Sequence, residues 1–323
     1  MSAASHLPTA SADAASRVVP VDDDGAPLCA LFVHAHPDDE ASKGSGTMAD
    51  LSSQGVRVVL VTLTGGEAGE VLNKEADTPE ARADLGAVRR LELEESCRIL
   101  GVTALHWLGY HDSGMPDTEV NARPDNLWNA PFDEALERLV RIIRAERPQV
   151  LVTYGDDHTR YPHPDHIRTH ELGLAAFHAA GDPDRFPDAG TPWQPAKLYY
   201  QGFWSRARIR SQHDWFLAHG EESPFQRWFD DPDHEPVDAP FTTRIDVTRF
   251  IPARRAALLA HRTQIAPDSM FMRMPDDVLA QVFPWEEFVL VESSVPPAVA
   301  EGEMESDLFA GLRAGATTGA TRR

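Results

Sequence analysis

Two short stretches of this 323-residue chain gather the side chains able to do chemistry. In the first, LFVHAHPDDE, an apolar run from Leu31 to Val33 gives way within seven residues to His34, His36, Asp38, Asp39 and Glu40. In the second, TYGDDHTRYPHPDH, the run ends on Tyr161, His163, Asp165 and His166. Ionising groups are costly to bury unless something pairs with them, and a bound metal is such a partner. Imidazole and carboxylate are the ligands zinc takes besides thiolate, and a catalytic zinc ion typically has three protein ligands and one open position. His163 and His166, three apart at a helix start, can face one way. His36 and Asp39, on the loop after the first apolar run, can complete a set. Taken alone, an HPD turn or an Asp-Asp pair reads as a turn or a helix cap. Two such clusters at equivalent strand ends point to a metal site.

The elements that must position these residues follow from the pattern. Residues 29–33 read as a strand, 41–54 as a helix and 56–64 as a β-branched strand; 79–100 follows as a long helix and 104–108 as a short strand. Then come a helix over 131–147, the strand QVLVTYG and a helix over 165–180. Strands alternating with helices of this length imply βαβ units with right-handed crossovers. The expected architecture is a doubly wound, Rossmann-like α/β fold: a mainly parallel sheet with helices on both faces. Ligands bind beyond the carboxyl ends of the strands in such sheets, which is where both clusters fall.

The rest of the chain divides by composition. Residues 1–27, rich in Ala, Ser and Asp without apolar period, read as a disordered leader. One catalytic domain is expected over 28–292, with a core at 28–182 and a C-terminal αβ extension at 183–292 that completes the pocket. In that extension KLYYQGFW and FTTRIDVT read as strands, and 206–219 and 251–264 as helices. Residues 293–323 read as a tail holding one small apolar knot, LFAGL.

A formal net charge of −21 argues against nucleic acid and anionic membrane as partners. No apolar run approaches a membrane span and no signal peptide is evident, so the chain is expected in the cytoplasm. Cys29 and Cys97 lie in apolar contexts without metal-type spacing and read as reduced core residues.

The pair AHPDDE and HPDH resembles the signature of the PIG-L/LmbE-like zinc-dependent N-deacetylases. The likeness extends through VTLTGGEAGEVLN, RRLELEESCRILGV, DSGMP, AHRTQI, EEFVL and DLFAG, and is nearest to the branch that hydrolyses mycothiol S-conjugates. That resemblance implies one Zn2+ per chain, with Fe2+ the alternative occupant, held by His36, Asp39 and His166. It implies Asp38 as general base, His163 as the group that stabilises the oxyanion and assists leaving-group protonation, and Tyr161 beside the same oxyanion. Asp165 is the candidate carboxylate that holds the far nitrogen of an active-site imidazole. Since an amine must leave protonated, His163 is expected to act as a cationic donor, and Glu40 is the next candidate base after Asp38. Arg89 and Asp112 match positions that bind sugar or inositol hydroxyls, and Lys43 matches a lysine of the S-conjugate branch. Glu70, with Glu67, is a weaker candidate for the pocket wall, and His261 is placed to reach the site from the C-terminal region.

The implied activity is hydrolysis of the amide between glucosaminyl-inositol and the N-acylcysteine of a mycothiol S-conjugate, a small pseudo-disaccharide thiol conjugate. The alternatives are an amidase acting on a mycothiol-linked antibiotic intermediate, an N-deacetylase of N-acetylglucosaminyl-inositol and, in a different class, a non-catalytic sugar-conjugate binder. The antibiotic alternative is motivated by His158 and Arg160 in the loop ahead of Tyr161. Against the binder stands Asp38, a carboxylate left over beside a complete ligand set.

Overall fold

The computed structural model of the chain describes residues 20–158, 161–202, 204–230 and 239–314. The elements run β1 (Cys29–His34), α1 (Asp39–Ser42), α2 (Ser45–Ser53), β2 (Arg57–Thr64), α3 (Pro79–Ala83), α4 (Leu85–Leu100), β3 (Ala104–Tyr110), α5 (Phe132–Glu146) and β4 (Val150–Tyr154). They continue with α6 (Pro164–Gly181), β5 (Lys197–Gln201), α7 (Arg206–Ala218), α8 (Arg227–Asp230), β6 (Thr243–Asp246), α9 (Ile251–Ala260), α10 (Asp276–Val282) and β7 (Trp285–Ser293). The seven strands form one sheet in the order β3-β2-β1-β4-β5-β7-β6. The first five are parallel, and β7 pairs antiparallel with both β5 and β6.

Why β1 reads as an unbroken apolar run is plain from its surroundings. Ala30 and Phe32 face a core built with α2, α4 and α9, while Leu31 and Val33 face one built with α5 and α6. A parallel strand covered on both faces shows no polar alternation. The doubly wound expectation thus stands, with helices on both faces and an αβ extension at the β5 edge.

Several expectations are corrected. The helix expected over 41–54 begins at Asp39 and breaks at Gly44 (φ 73), where a Cβ would stand 2.1 Å from the Gln201 amide nitrogen. The helix expected over 79–100 breaks at Asp84, whose carboxylate accepts from Ala87 N and caps α4. Helix α9 ends at Ala260, with His261 as its C-cap. Strand β7 and helix α10 were not expected as elements. The supposed leader is ordered over residues 20–27, where Val21 bridges Pro27 and the Asp22 carboxylate accepts from Gln149 Nε2; its first 19 residues lie outside the described residues. In the segment 293–314 the residues of the apolar knot, Leu308, Phe309 and Leu312, join the core on the α2 face. Cys29 and Cys97 are free thiols in the core. Among the described residues no helix is long and apolar enough to cross a membrane.

Candidate metal centre and active site

Strands β1 and β4 lie side by side, and the chain leaves them in opposite directions, toward β2 and toward β5. Open α/β sheets bind ligands at that switch point, and both clusters meet there. After β1 the chain passes Pro37 and reaches Asp38 in a left-handed conformation (φ 107, ψ −23), one of few non-glycine residues with positive φ. Such a conformation costs on the order of 1–3 kcal/mol and is kept where the surroundings over-determine it. Its backbone carbonyl starts α1 by accepting from Ala41 N and Ser42 N. Its side chain caps nothing: the carboxylate turns to Arg89, whose Nη2 lies 3.0 Å from Oδ2.

Asp39 is almost fully buried. Its Oδ2 accepts from His36 N at 2.9 Å and from the Tyr154 hydroxyl at 2.6 Å, and Lys43 Nζ donates to Oδ1. His36 Nδ1 and His166 Nε2 stand 3.6 and 3.7 Å from Asp39 Oδ2, and ligand atoms of the three residues lie within 4.8 Å of one another. The other nitrogen of His36, Nε2, is 3.2 Å from Asp165 Oδ2. Asp165 is fully buried and also accepts from Ser113 N and Oγ. A carboxylate that fixes one imidazole nitrogen so that the other faces inward is the usual support of a metal-ligating histidine.

The electrostatics suit a cation. Burial alone would raise the Asp39 carboxyl, but Lys43 and His166 hold it well below the usual carboxylate range. Burial keeps His166 neutral, its pKa well below the ordinary value. Burial works against charge on His36 too, yet Asp165 and Asp39 prevail and lift its pKa well above the ordinary value, so the cluster draws positive charge there. A divalent ion takes the place of such a proton when it binds. The donor set therefore fits a metal. A second grouping, His36, Asp112, His163 and Asp165, is equally compact. It would draw on His36 Nε2, which already pairs with Asp165, whereas the first draws on His36 Nδ1 and leaves that support in place, which favours the first.

His163 is the N-cap of α6, and its Nδ1 accepts from Asp165 N at 3.2 Å. A nitrogen that accepts carries no proton, so the ring is the neutral Nε2–H tautomer. Burial and the neighbouring His36 likewise push its pKa down. The expectation of a cationic His163 is thus corrected to a neutral donor, as a helix N-terminus disfavours positive charge. Tyr161 is half exposed, its ring 5.8 Å from that of His163 and 4.9 Å from that of His166. Desolvation and the carboxylates of Asp39, Asp38 and Asp112 push its phenol up to about 12, so it stays a donor. Burial raises the Asp38 carboxyl as well, against the pull of Arg89.

The substrate candidates scatter. Lys43 lies beside Asp39 with its ammonium 5.5 Å over the Tyr154 ring. Arg89 is buried and grips the Gly66 carbonyl, the Pro37 carbonyl and Asp38, which makes it an anchor of the loop after β1. Asp112 is buried against the imidazoles, 3.8 Å from His36 Nε2 and 3.9 Å from His163 Nε2. Glu67 bonds Asp112 N and pairs with His111 at 2.8 Å. Glu70 is exposed, and its carbonyl receives Gln264 Nε2. Glu40 is no spare base: its carboxylate accepts from Asp38 N, Ser96 Oγ and His261 Nε2. His158 lies against the His170 ring, while Arg160 falls outside the described residues. Sequence reasoning missed Tyr154 and Ser113. Tyr154 closes a strand whose pattern shows only burial, and Ser113 lay unread inside DSGMP.

Residues 31–177 match the model of the PIG-L family, GlcNAc-PI de-N-acetylase. The chain is 41% identical over 289 residues to a mycothiol S-conjugate amidase of Streptomyces coelicolor, covering 88% of this chain and 97% of that protein. It is 42% identical over 300 residues to a 1D-myo-inositol 2-acetamido-2-deoxy-alpha-D-glucopyranoside deacetylase of Frankia casuarinae, covering 87% and 94%. Its fold is similar to that of the N,N'-diacetylchitobiose deacetylase from Pyrococcus horikoshii, with a TM-score of 0.57 at 22% identity over 82% of this chain and 84% of that one.

Proposed function

This chain belongs to the PIG-L family, and from that premise we propose that it is a cytoplasmic, zinc-dependent amidase that cleaves mycothiol S-conjugates. The bond broken joins the glucosaminyl-inositol nitrogen to the acyl carbon of the N-acylcysteine part. His36, Asp39 and His166 would hold the ion, which when bound polarises the amide carbonyl and makes water a usable nucleophile near neutral pH.

The protein's own residues supply the proton traffic. An Asp38 carboxylate oxygen takes a proton from the attacking water and then returns it to the departing nitrogen, since a neutral His163 has none to spare. His163 donates a hydrogen bond from Nε2 to the developing oxyanion, and the Tyr161 hydroxyl supplies a second donor at the mouth. Arg89 keeps the Asp38 carboxylate aimed, while Asp165 fixes the His36 ring. Lys43, at the wall beside Asp39, and Glu70, on the exposed loop, are the candidates for substrate contact; Asp112 acts through the two imidazoles it faces. Asp38 carries this reading: a strained carboxylate that caps no helix and, held by Arg89, stands beside a compact His-Asp-His set.

A second reading is N-deacetylation of N-acetylglucosaminyl-inositol, favoured by the 42% identity to a protein described as such a deacetylase. Incubating zinc-loaded protein with a panel of mycothiol S-conjugates and with N-acetylglucosaminyl-inositol, with and without chelator, and weighing the products separates the two. Glucosaminyl-inositol plus the N-acylated cysteine S-conjugate is the expected result. Acetate released from N-acetylglucosaminyl-inositol alone would establish the deacetylase, and no turnover of either would overturn both.

A further inference from the structure

The conformation of Asp38 has to be held by something, and the peptide unit that precedes it is gripped from both sides. Its carbonyl, that of Pro37, receives Arg89 Nη2 from α4, and its N–H, that of Asp38, donates to Glu40 Oε2 at 3.0 Å. Fixing both polar ends of one peptide plane sets the plane's rotation and with it the φ of the next residue. Glu40 is itself fixed from outside the loop. Its Oε1 accepts from Ser96 Oγ of α4 at 2.5 Å and from Nε2 of His261, the C-cap of α9, also at 2.5 Å.

Neither end of this chain of contacts is accessible: Glu40, Ser96 and His261 are all 0% exposed. A third carboxylate directly after Asp38 and Asp39 is an expensive group to bury without a partner. His261 supplies that partner from 221 residues away, at a helix C-terminus where the backbone dipole favours positive charge. Burial opposes both charges, yet the pair holds Glu40 below and His261 above their ordinary pKa values.

We infer that Glu40 and its buried partner His261, with Ser96, are positioning residues that lock Asp38 in its left-handed conformation and so aim its carboxylate into the site. The inference rests on Asp38 being the base. Glu40 has no route of its own to the substrate, because its carboxylate is committed to donors behind the loop. The C-terminal extension thereby enters the reaction through the backbone of one residue rather than by contact with substrate.

A double-mutant cycle between positions 40 and 38, with the S-benzyl conjugate of mycothiol as probe, tests this. Glu40→Ala should lower kcat on the order of 10²-fold, the scale of a small misplacement of a reacting group, with KM within about threefold and zinc content unchanged. Glu40→Gln, which keeps an oxygen for the Asp38 N–H, should recover most of that loss. In the Asp38→Asn background the same Glu40→Ala change should cost less than about twofold, since a residue that acts only through Asp38 has nothing left to position. A crystal structure of Glu40→Ala should show Asp38 released to negative φ. Additive losses, Gln as damaging as Ala, or Asp38 unmoved at positive φ would overturn the inference. If Glu40→Ala does not fold, Ser96→Ala takes its place: a several-fold loss confined to the Asp38 background supports the relay, and equal loss in both overturns it. Asp38→Asn with wild-type kcat would instead remove the base assignment itself, an outcome distinct from an additive cycle.

Discussion

The two ends of the sheet both bury charge and use it differently. At the amino end of β5, Lys197 is 1% exposed and Glu305 4%, and their charged atoms stand 3.0 Å apart. The Tyr199 hydroxyl donates to the same Glu305 oxygen and receives Lys197 Nζ. One positive group meets one negative group, with a neutral hydroxyl between. Beyond the carboxyl ends of β1 and β4, by contrast, four carboxylates crowd together: Asp38, Asp39, Asp112 and Asp165. The backbone there is strained at Asp38, and the pKa values of Asp38 and His163 move in directions that simple pairing would not give. Buried charge alone therefore does not mark a site. Like charges held together against their preference do, because that imbalance is what a cation or a moving proton relieves.

The comparison breaks first at its strongest point. His166→Ala should lose bound zinc, and with it several kcal/mol of transition-state stabilisation, while thermal stability of the metal-free protein stays close to that of metal-free wild type; metal analysis and kcat on one preparation check it. At the amino end the reverse pattern holds. Lys197→Met leaves Glu305 buried and unpaired and should cost about 3–5 kcal/mol of stability by denaturant titration, with kcat of the folded fraction and zinc content unchanged.

His163 sharpens the contrast within the site. His163→Ala should keep zinc and lower kcat by about 10²–10³-fold, the value of one oxyanion donor. His163→Gln, which can still present a neutral N–H, should recover part of that loss. Because the imidazole pKa is pushed down, the neutral donor forms as pH rises, so the wild-type profile should lack a basic limb that disappears in the variant. The smallest effect belongs to Asp165→Asn, which slackens the His36 ring and should weaken zinc affinity by about 10–100-fold, read by chelator competition.

Much of this was legible before folding. The two clusters could be placed at strand ends because the apolar runs before them have the length and β-branched character of parallel strands, and the alternation of strands with helices puts those ends on one edge. Contacts made through tertiary packing were not legible. Tyr154 looks like any strand residue, yet its hydroxyl joins Ala35 N to Asp39. Glu40 and His261 gave no local hint of each other. Strand β7 was hidden by its own glutamates: Glu286 accepts from Gly46 N and Thr47 N at the start of α2, and Glu287 accepts from Arg244 on β6. After residue 293 the apolar knot LFAGL was legible and Phe309 packs in the core, but the Pro-, Ala- and Gly-rich composition around it gave no sign that Glu305 pairs with Lys197. The charge of His163 was not legible in the sequence, since only the backbone N–H of Asp165 bears on its tautomer.

The central claim is that the metal sits among His36, Asp39 and His166, leaving Asp38 free. Anomalous diffraction at the zinc edge, from crystals grown with zinc at one equivalent, tests it most directly. The account predicts a single peak bounded by His36 Nδ1, Asp39 and His166 Nε2, with Asp38 outside coordination distance. A peak among His36, Asp112, His163 and Asp165 instead, or one that includes an Asp38 oxygen, would contradict it.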